Sequence, residues 1–290
     1  MESFTQAPAI ATGTPGALTA VTHDNDSFTV PFTAKSVTLA GRWFLRPGLA
    51  DGNPIPQIRG KPTPMVTVVH GGPSAAYTPR FSSAGSTFEL LKAGYFVFLP
   101  NPRGSYGQGE AFVQSNKRDF GGGGPQRHHD RHRCGRKGGA GRRTALGIMG
   151  HSYGGLMTMW TVTHSARFKA AIAGAGIANW SSYYGENGID QWMIPFFGAS
   201  FYDDPAIYDK LSPIRYIKNA KTPTFIYVGE RDVECPAAQS LEFWHGLKEM
   251  GVPTTLVIYE GEGHGIRDPQ HIKDLSDRET AWWESHLGQP

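Results

Sequence analysis

Six short apolar runs, each closed by turn residues, constrain this chain more than any other feature. They are "MVTVV" (Met65–Val69), "YFVFL" (Tyr95–Leu99), "LGIM" (Leu146–Met149), "AAIAG" (Ala170–Gly174), "TFIYV" (Thr224–Val228) and "TLVIY" (Thr255–Tyr259). Near-continuous apolar strands imply a sheet buried on both faces, hence parallel and covered by helices. Helical segments fall between several of them. Ala237–Met250 puts Phe243, Leu247 and Met250 on one face and is stopped by Gly251. Thr87–Ala93 and Gly155–His164 are shorter helical stretches. The alternation predicts a doubly wound α/β domain. Ser36–Pro47 has strand character, Gly48–Pro64 reads as a Pro/Gly-rich loop, and Met1 to about Asp26 has no clear period. At 290 residues the length suits one large domain or two small ones.

One crossover breaks the pattern. A parallel sheet needs a helix with an apolar stripe between Leu99 and Leu146. "GGGGPQRHHDRHRCGRKGGAGRR" (Gly121–Arg143) has no large apolar residue at all. Its seven basic residues and single acid also distort the charge balance. The whole chain is formally +3; without that stretch, 21 basic and 24 acidic residues leave −3. The basicity is local and gives no reason to expect a nucleic-acid partner. His128, His129, His132 and Cys134 are dense potential ligands but lack a framework to fix metal geometry. No cofactor or metal is expected.

"GHSYG" (Gly150–Gly154) follows a strand and precedes a helix, which is the setting of a nucleophile elbow around Ser152. A serine nucleophile needs a base and a carboxylate to orient it, in the chain order Ser, acid, His. "VGERDVECP" after the fifth run offers Glu230, Asp232 and Glu234. "GEGHG" after the sixth offers His264. Both lie at strand C-termini, where open α/β sheets bind ligands. Asp232 is preferred because it follows its strand at short range and precedes Pro236 by four positions. Glu230 and Glu234 read as surface or substrate-facing groups, and His164, His245 and His271 as surface residues. The developing oxyanion needs two amide donors. Tyr153 and Gly72, the latter in "HGGP" (His70–Pro73), are the candidates, with His70 bracing its loop. "NPRGSYGQGE" (Asn101–Glu110) lacks the spacing of a phosphate cradle.

Together with "VTVVHGGPSAAY", "FGASFYDDP" and "SPIRYIKNAKTPTFIYVGERDVECP", these stretches resemble the prolyl oligopeptidase family of serine peptidases, in particular its acylaminoacyl-peptidase-like branch. The resemblance spans roughly Ser36 to Leu287. It implies an α/β-hydrolase domain, a triad of Ser152, Asp232 and His264, amide donors at Gly72 and Tyr153, and short or N-blocked peptides as substrates. A carboxylesterase acting on small esters and an inactive remnant are the alternatives. The family carries a β-propeller before this domain, and only "TGTPGALTAVTHDND" resembles the exit from a last blade. Residues 1–35 are therefore expected to be a linker or propeller remnant and 36–290 the catalytic domain, the chain being part of a longer protein.

The N-terminus lacks a signal-peptide pattern, so the chain as written is expected to stay in the cytoplasm, although a longer parent could be exported. No apolar run reaches the roughly 20 residues of a membrane span. Two cysteines, Cys134 and Cys235, fit a reducing compartment.

The family has an amphipathic helix where Gly121–Arg143 stands. Read one nucleotide downstream, the codons for Gly124–Arg143 permit Asp-Leu-Ser-Asp-Ile-Met-Thr-Gly-Ile-Asp-Ala-Val-Val-Lys, an amphipathic helix with an acidic start. A reading-frame error therefore ranks first for this stretch, ahead of a solvated insert, a metal site and a nucleic-acid patch. As written, Pro125–Ala140 should form no stable helix. Sequencing the source DNA checks the frame: the shifted frame should spell an apolar stripe.

Overall fold

The structure is a computed structural model that describes residues 1–14, 16–28, 30, 32–37, 42–47, 63–81, 84–121 and 145–288. The readings attached to the basic stretch, including the disrupted helix and the four potential metal ligands, fall on residues 122–144, outside the described residues.

In chain order the strands are β1 (Ala11–Thr14), β2 (Ala17–Ala20), β3 (Phe32–Val37), β4 (Arg42–Pro47), β5 (Met65–Val69), β6 (Phe96–Leu99), β7 (Leu146–His151), β8 (Ala170–Gly174), β9 (Thr224–Gly229) and β10 (Thr254–Tyr259). The helices are α1 (Ser86–Lys92), α2 (Glu110–Val113), α3 (Tyr153–His164), α4 (Trp180–Glu186), α5 (Met193–Phe197), α6 (Pro205–Leu211), α7 (Ala237–Glu249) and α8 (Pro269–Leu287). Eight strands form one sheet in the order β10-β9-β8-β7-β5-β6-β4-β3. β5 to β10 run parallel, and β4 and β3 add antiparallel at one edge. This is an α/β-hydrolase architecture.

The six apolar runs are the six parallel strands. Every residue of β5, β8 and β9 is buried. Successive residues feed opposite faces: Ile148, Ala171, Ile226 and Val228 join one core, while Met149, Ile172, Phe225 and Tyr227 join the other. Phe243 and Leu247 of α7 cover the first face. Leu90 and Leu91 of α1, with Trp283 and Leu287 of α8, cover the second. β10 is the exception among the runs, half-exposed because it ends the sheet.

Two regions differ from the sequence expectation. β1 and β2 pair antiparallel, and Phe4 is buried in the second core, so the opening segment carries more structure than its composition suggests. α8 has only sparse apolar positions along its 19 residues, and its start is marked instead by the Asp268 cap, which accepts from the N–H of Gln270 at 2.8 Å, and by Pro269 at the first position.

The strand order places the switch between β5 and β7: the chain leaves β5 toward β6 on one side and returns to β7 on the other. A crevice opens there at the strand C-termini.

Candidate active site

The turn after β7 holds Ser152 at φ 63° and ψ −124°, a region that costs a residue with a side chain on the order of 1–3 kcal/mol. Backbone contacts impose the flanking glycines. A Cβ on Gly150 would lie 2.5 Å from the Gly154 carbonyl, and one on Gly154 would lie 2.2 Å from the Val69 oxygen. The Ser152 N–H donates to the Gly174 carbonyl at 2.9 Å. α3 starts at the next residue, so the Tyr153 amide sits in the first helical turn, where N–H groups have no intrahelical acceptor and the dipole favours negative charge.

The loop after β5 packs against this turn: a Cβ on Gly71 would touch Ser152 Cβ at 3.4 Å. Gly72 has φ +126°, and a side chain there would meet the Ser74 amide at 2.7 Å. Buried His70 pairs Nε2 with Ser105 Oγ at 2.8 Å and donates from Nδ1 to the Gly71 carbonyl at 2.6 Å. Burial holds its pKa down despite the Gly71 carbonyl. It braces the loop, as its position suggested. Asn101 clamps Tyr77 through both backbone groups, accepting at 2.8 Å and donating at 3.2 Å. The Asn101–Glu110 loop therefore uses these polar groups to support "HGGP".

Asp232 is buried in the turn after β9. Its Oδ1 accepts from the amides of Glu234 at 2.9 Å and Cys235 at 2.8 Å. Its Oδ2 accepts from His264 Nδ1 at 2.8 Å. A carboxylate only accepts, so this bond puts a proton on Nδ1. The His264 loop is anchored beyond the histidine as well. Buried Glu262 accepts from the amides of Arg267 at 3.0 Å and Asp268 at 2.8 Å and pairs with His271 Nδ1 at 2.9 Å. His271, read from sequence as a surface residue, thus ties α8 to this loop.

Burial works to lower the His264 pKa, but the hydrogen bond and charge of Asp232, with the charge of Glu234, outweigh it and hold the imidazole above its ordinary value. The His151 ring lies 4.7 Å away, centroid to centroid. Burial and the neighbouring His264 push His151 down to about 4, so it is neutral where His264 titrates.

Ser152, Tyr153 and Gly72 open onto a cavity of about 300 Å³. Ile177, Trp180, Tyr183, Ile189, Trp192 and Phe196 wall it. Phe120 stacks behind the wall on Trp180 at 5.2 Å and on Phe196 at 5.9 Å. The whole wall comes from the β8–β9 connection, whose aromatic density, "NWSSYYGENGIDQWMIPFF", was the signal that strand-and-loop reasoning passed over. Of the two glutamates near Asp232, Glu230 is on the surface, accepting from the Gly261 amide at 2.9 Å, whereas Glu234 lines the cavity.

A serine on a strained elbow after β7, with amides beside it, and a hydrogen-bonded Asp–His pair after β9 and β10 all stand at the C-terminal end of the same sheet. The prolyl oligopeptidase family profile matches residues 81–290. The chain belongs to the prolyl oligopeptidase family. It is 31% identical over 280 residues to the uncharacterized peptidase YuxL of Bacillus subtilis, covering 89% of this chain and 39% of that protein. It is 30% identical over 246 residues to the acylamino-acid-releasing enzyme of Mus musculus, covering 78% of this chain and 32% of that one. The acylaminoacyl peptidase structure from Pyrococcus horikoshii superposes with a TM-score of 0.83 at 28% identity, over 100% of this chain and 48% of that chain. The chain thus spans less than half the length of each of these relatives. No helix among the described residues is long and apolar enough to cross a membrane.

Proposed function

We propose that this chain is the catalytic domain of a serine peptidase that cleaves short or N-blocked peptides through an acyl-enzyme. Ser152 attacks the scissile carbonyl. His264 takes the serine proton on Nε2 and later returns it to the leaving amine. Asp232 holds the tautomer in which Nε2 is free to accept. The amides of Tyr153 and Gly72 receive the oxyanion. The observation that carries this reading is the elbow at Ser152, opening on the cavity and flanked by the Asp232–His264 bond. We read residues 1–35 as a linker or propeller remnant and 36–290 as the catalytic domain; β3, Phe32–Val37, crosses that boundary and pairs with β4 in the main sheet.

The aromatic wall supports a large apolar or aromatic side chain just before the scissile bond. Burying a phenyl ring contributes on the order of 2–3 kcal/mol, roughly 30- to 150-fold in kcat/KM. Acetyl-Phe anilide should therefore be cleaved at least about tenfold faster than acetyl-Ala anilide. Equal rates on the two would remove the cavity from the substrate assignment. Labelling of the protein by a fluorophosphonate, mapped to Ser152, tests the acyl-enzyme chemistry itself.

A further inference from the structure

Neither half of the Ser–His couple is engaged with the other here. Among the described residues, no hydrogen bond joins Ser152 Oγ to His264. Ser152 and Cys235 both line the cavity, and burial keeps the Cys235 thiol protonated. His264 turns its Nε2 edge to Glu234, with Oε2 at 3.6 Å. Nε2 is the atom that must accept the serine proton.

The position of Glu234 is fixed at the backbone. Its N–H donates to Asp232 Oδ1 at 2.9 Å, and its carbonyl accepts from Tyr183 Oη at 2.8 Å. Its side chain is 46% exposed. Among the described residues that line the cavity, it is the one that carries a charge. Asp232 and Glu234 from the turn after β9, and His151 from the end of β7, face His264. His151 and Cys235 are neutral, so the two carboxylates set the charge around the ring.

We infer that Glu234 is a positioning residue that competes with Ser152 for the Nε2 edge of His264 and holds the protonated imidazole in an idle arrangement. When His264 carries two protons, its Nε2–H faces the Glu234 carboxylate as an ion pair and offers no lone pair to the serine. Loss of that proton to solvent turns Nε2 into an acceptor. The carboxylate then repels its lone pair, and the Ser152 hydroxyl becomes the better partner. Arming the site and deprotonating His264 are thus one event. This inference rests on the serine-peptidase reading above.

The test is the acid limb of kcat/KM for a p-nitrophenyl ester, which reports the free enzyme, in wild type, Glu234→Gln, Glu234→Asp and the surface control Glu230→Gln. Because Glu234 is half-exposed, its charge is partly screened, and losing it should move the limb down by about half a pH unit. The ratio of Glu234→Gln to wild-type kcat/KM should then rise roughly threefold between about pH 8 and about pH 5.5. Glu234→Asp should keep most of the wild-type limb, and Glu230→Gln all of it. High salt should lower the wild-type limb but not that of Glu234→Gln, because screening acts mainly on the exposed charge. This comparison in wild type, with Glu234→Asp, still decides the matter if the glutamine variant folds poorly. Coincident limbs in wild type and Glu234→Gln, with both proteins labelled by a fluorophosphonate at Ser152, would overturn the inference and leave the peptidase reading intact. Absence of labelling in wild type would instead overturn that reading.

Discussion

Ser152→Ala should abolish fluorophosphonate labelling and lower kcat by roughly six orders of magnitude, the cost seen when a triad nucleophile is removed. Asp232→Asn should cost about 10⁴ in kcat while leaving slow labelling at Ser152, because the nucleophile is still present. The second figure follows from the bonding of Asp232. Both carboxylate oxygens are committed, one to two amides and the other to His264 Nδ1. An asparagine has one acceptor and one donor end. If its oxygen keeps the two amides, its NH₂ faces Nδ1, and the ring moves its proton to Nε2, where it blocks the serine. If the amide flips, the NH₂ meets two N–H donors in a buried site, an arrangement that costs stability as well. Thermal unfolding should separate the two cases: an unchanged Tm marks the tautomer effect, and a lowered Tm the flipped amide. A Ser152→Ala protein that still labels at its active site, or an Asp232→Asn protein within tenfold of wild type, would sink the assignment.

The fold was legible where the sheet is buried on both sides. β5, β8 and β9 could hardly be anything but central strands, since every side chain must face a core. The placement of Ser152, Asp232 and His264 was legible because each lies within a few residues of the end of an apolar run, and the structure joins Asp232 to His264 by a hydrogen bond. α8 was not, because a helix lying on the second face needs only a few anchors: Glu279, Trp283 and Leu287 are its buried positions, and most of the rest face water. The cavity wall was hidden for another reason. Its aromatics are scattered over α4, α5 and the turns between them, so no period marks them, and only the folded β8–β9 connection brings them over Ser152. The approach of Glu234 to His264 was out of reach of sequence. Glu230 and Glu234 are the same residue type at equal distance from Asp232, and only the direction of the turn sends one to solvent and the other to His264.

Glu279→Gln should stabilise the protein above neutral pH and leave it unchanged near pH 4.5. Glu279 lies on α8 against α1 and is 5% exposed. Its Oε1 has no hydrogen-bond partner among the described residues. It borders a gap of about 10 Å³ lined also by Ser86, Leu90, Tyr95 and Trp283, about the space of one water. Burial pushes its carboxyl up to about 7, and a hydrogen bond with Ser86 offsets only part of this. The sign follows from where the protons sit. Below about pH 4.5 the group is protonated in both the folded and the unfolded chain, so folding costs nothing extra. As pH rises toward 7 the unfolded chain releases its proton while the folded chain keeps it, and stability falls. Above 7 the folded protein must hold the charge in an apolar setting, at a cost on the order of 3 kcal/mol. Glutamine matches the shape and cannot ionise, so it should recover about 1–3 kcal/mol at pH 8, a few degrees in Tm. The gain reaches the active site indirectly: Tyr259 Oη donates to Asp274 on α8 at 3.0 Å, and Glu262 pairs with His271 on the same helix, so a firmer α8 steadies the loop that carries His264. Unfolding curves of both proteins at pH 4.5 and pH 8 decide the matter, and a variant that gains equally at both would show that packing, not the buried charge, is responsible.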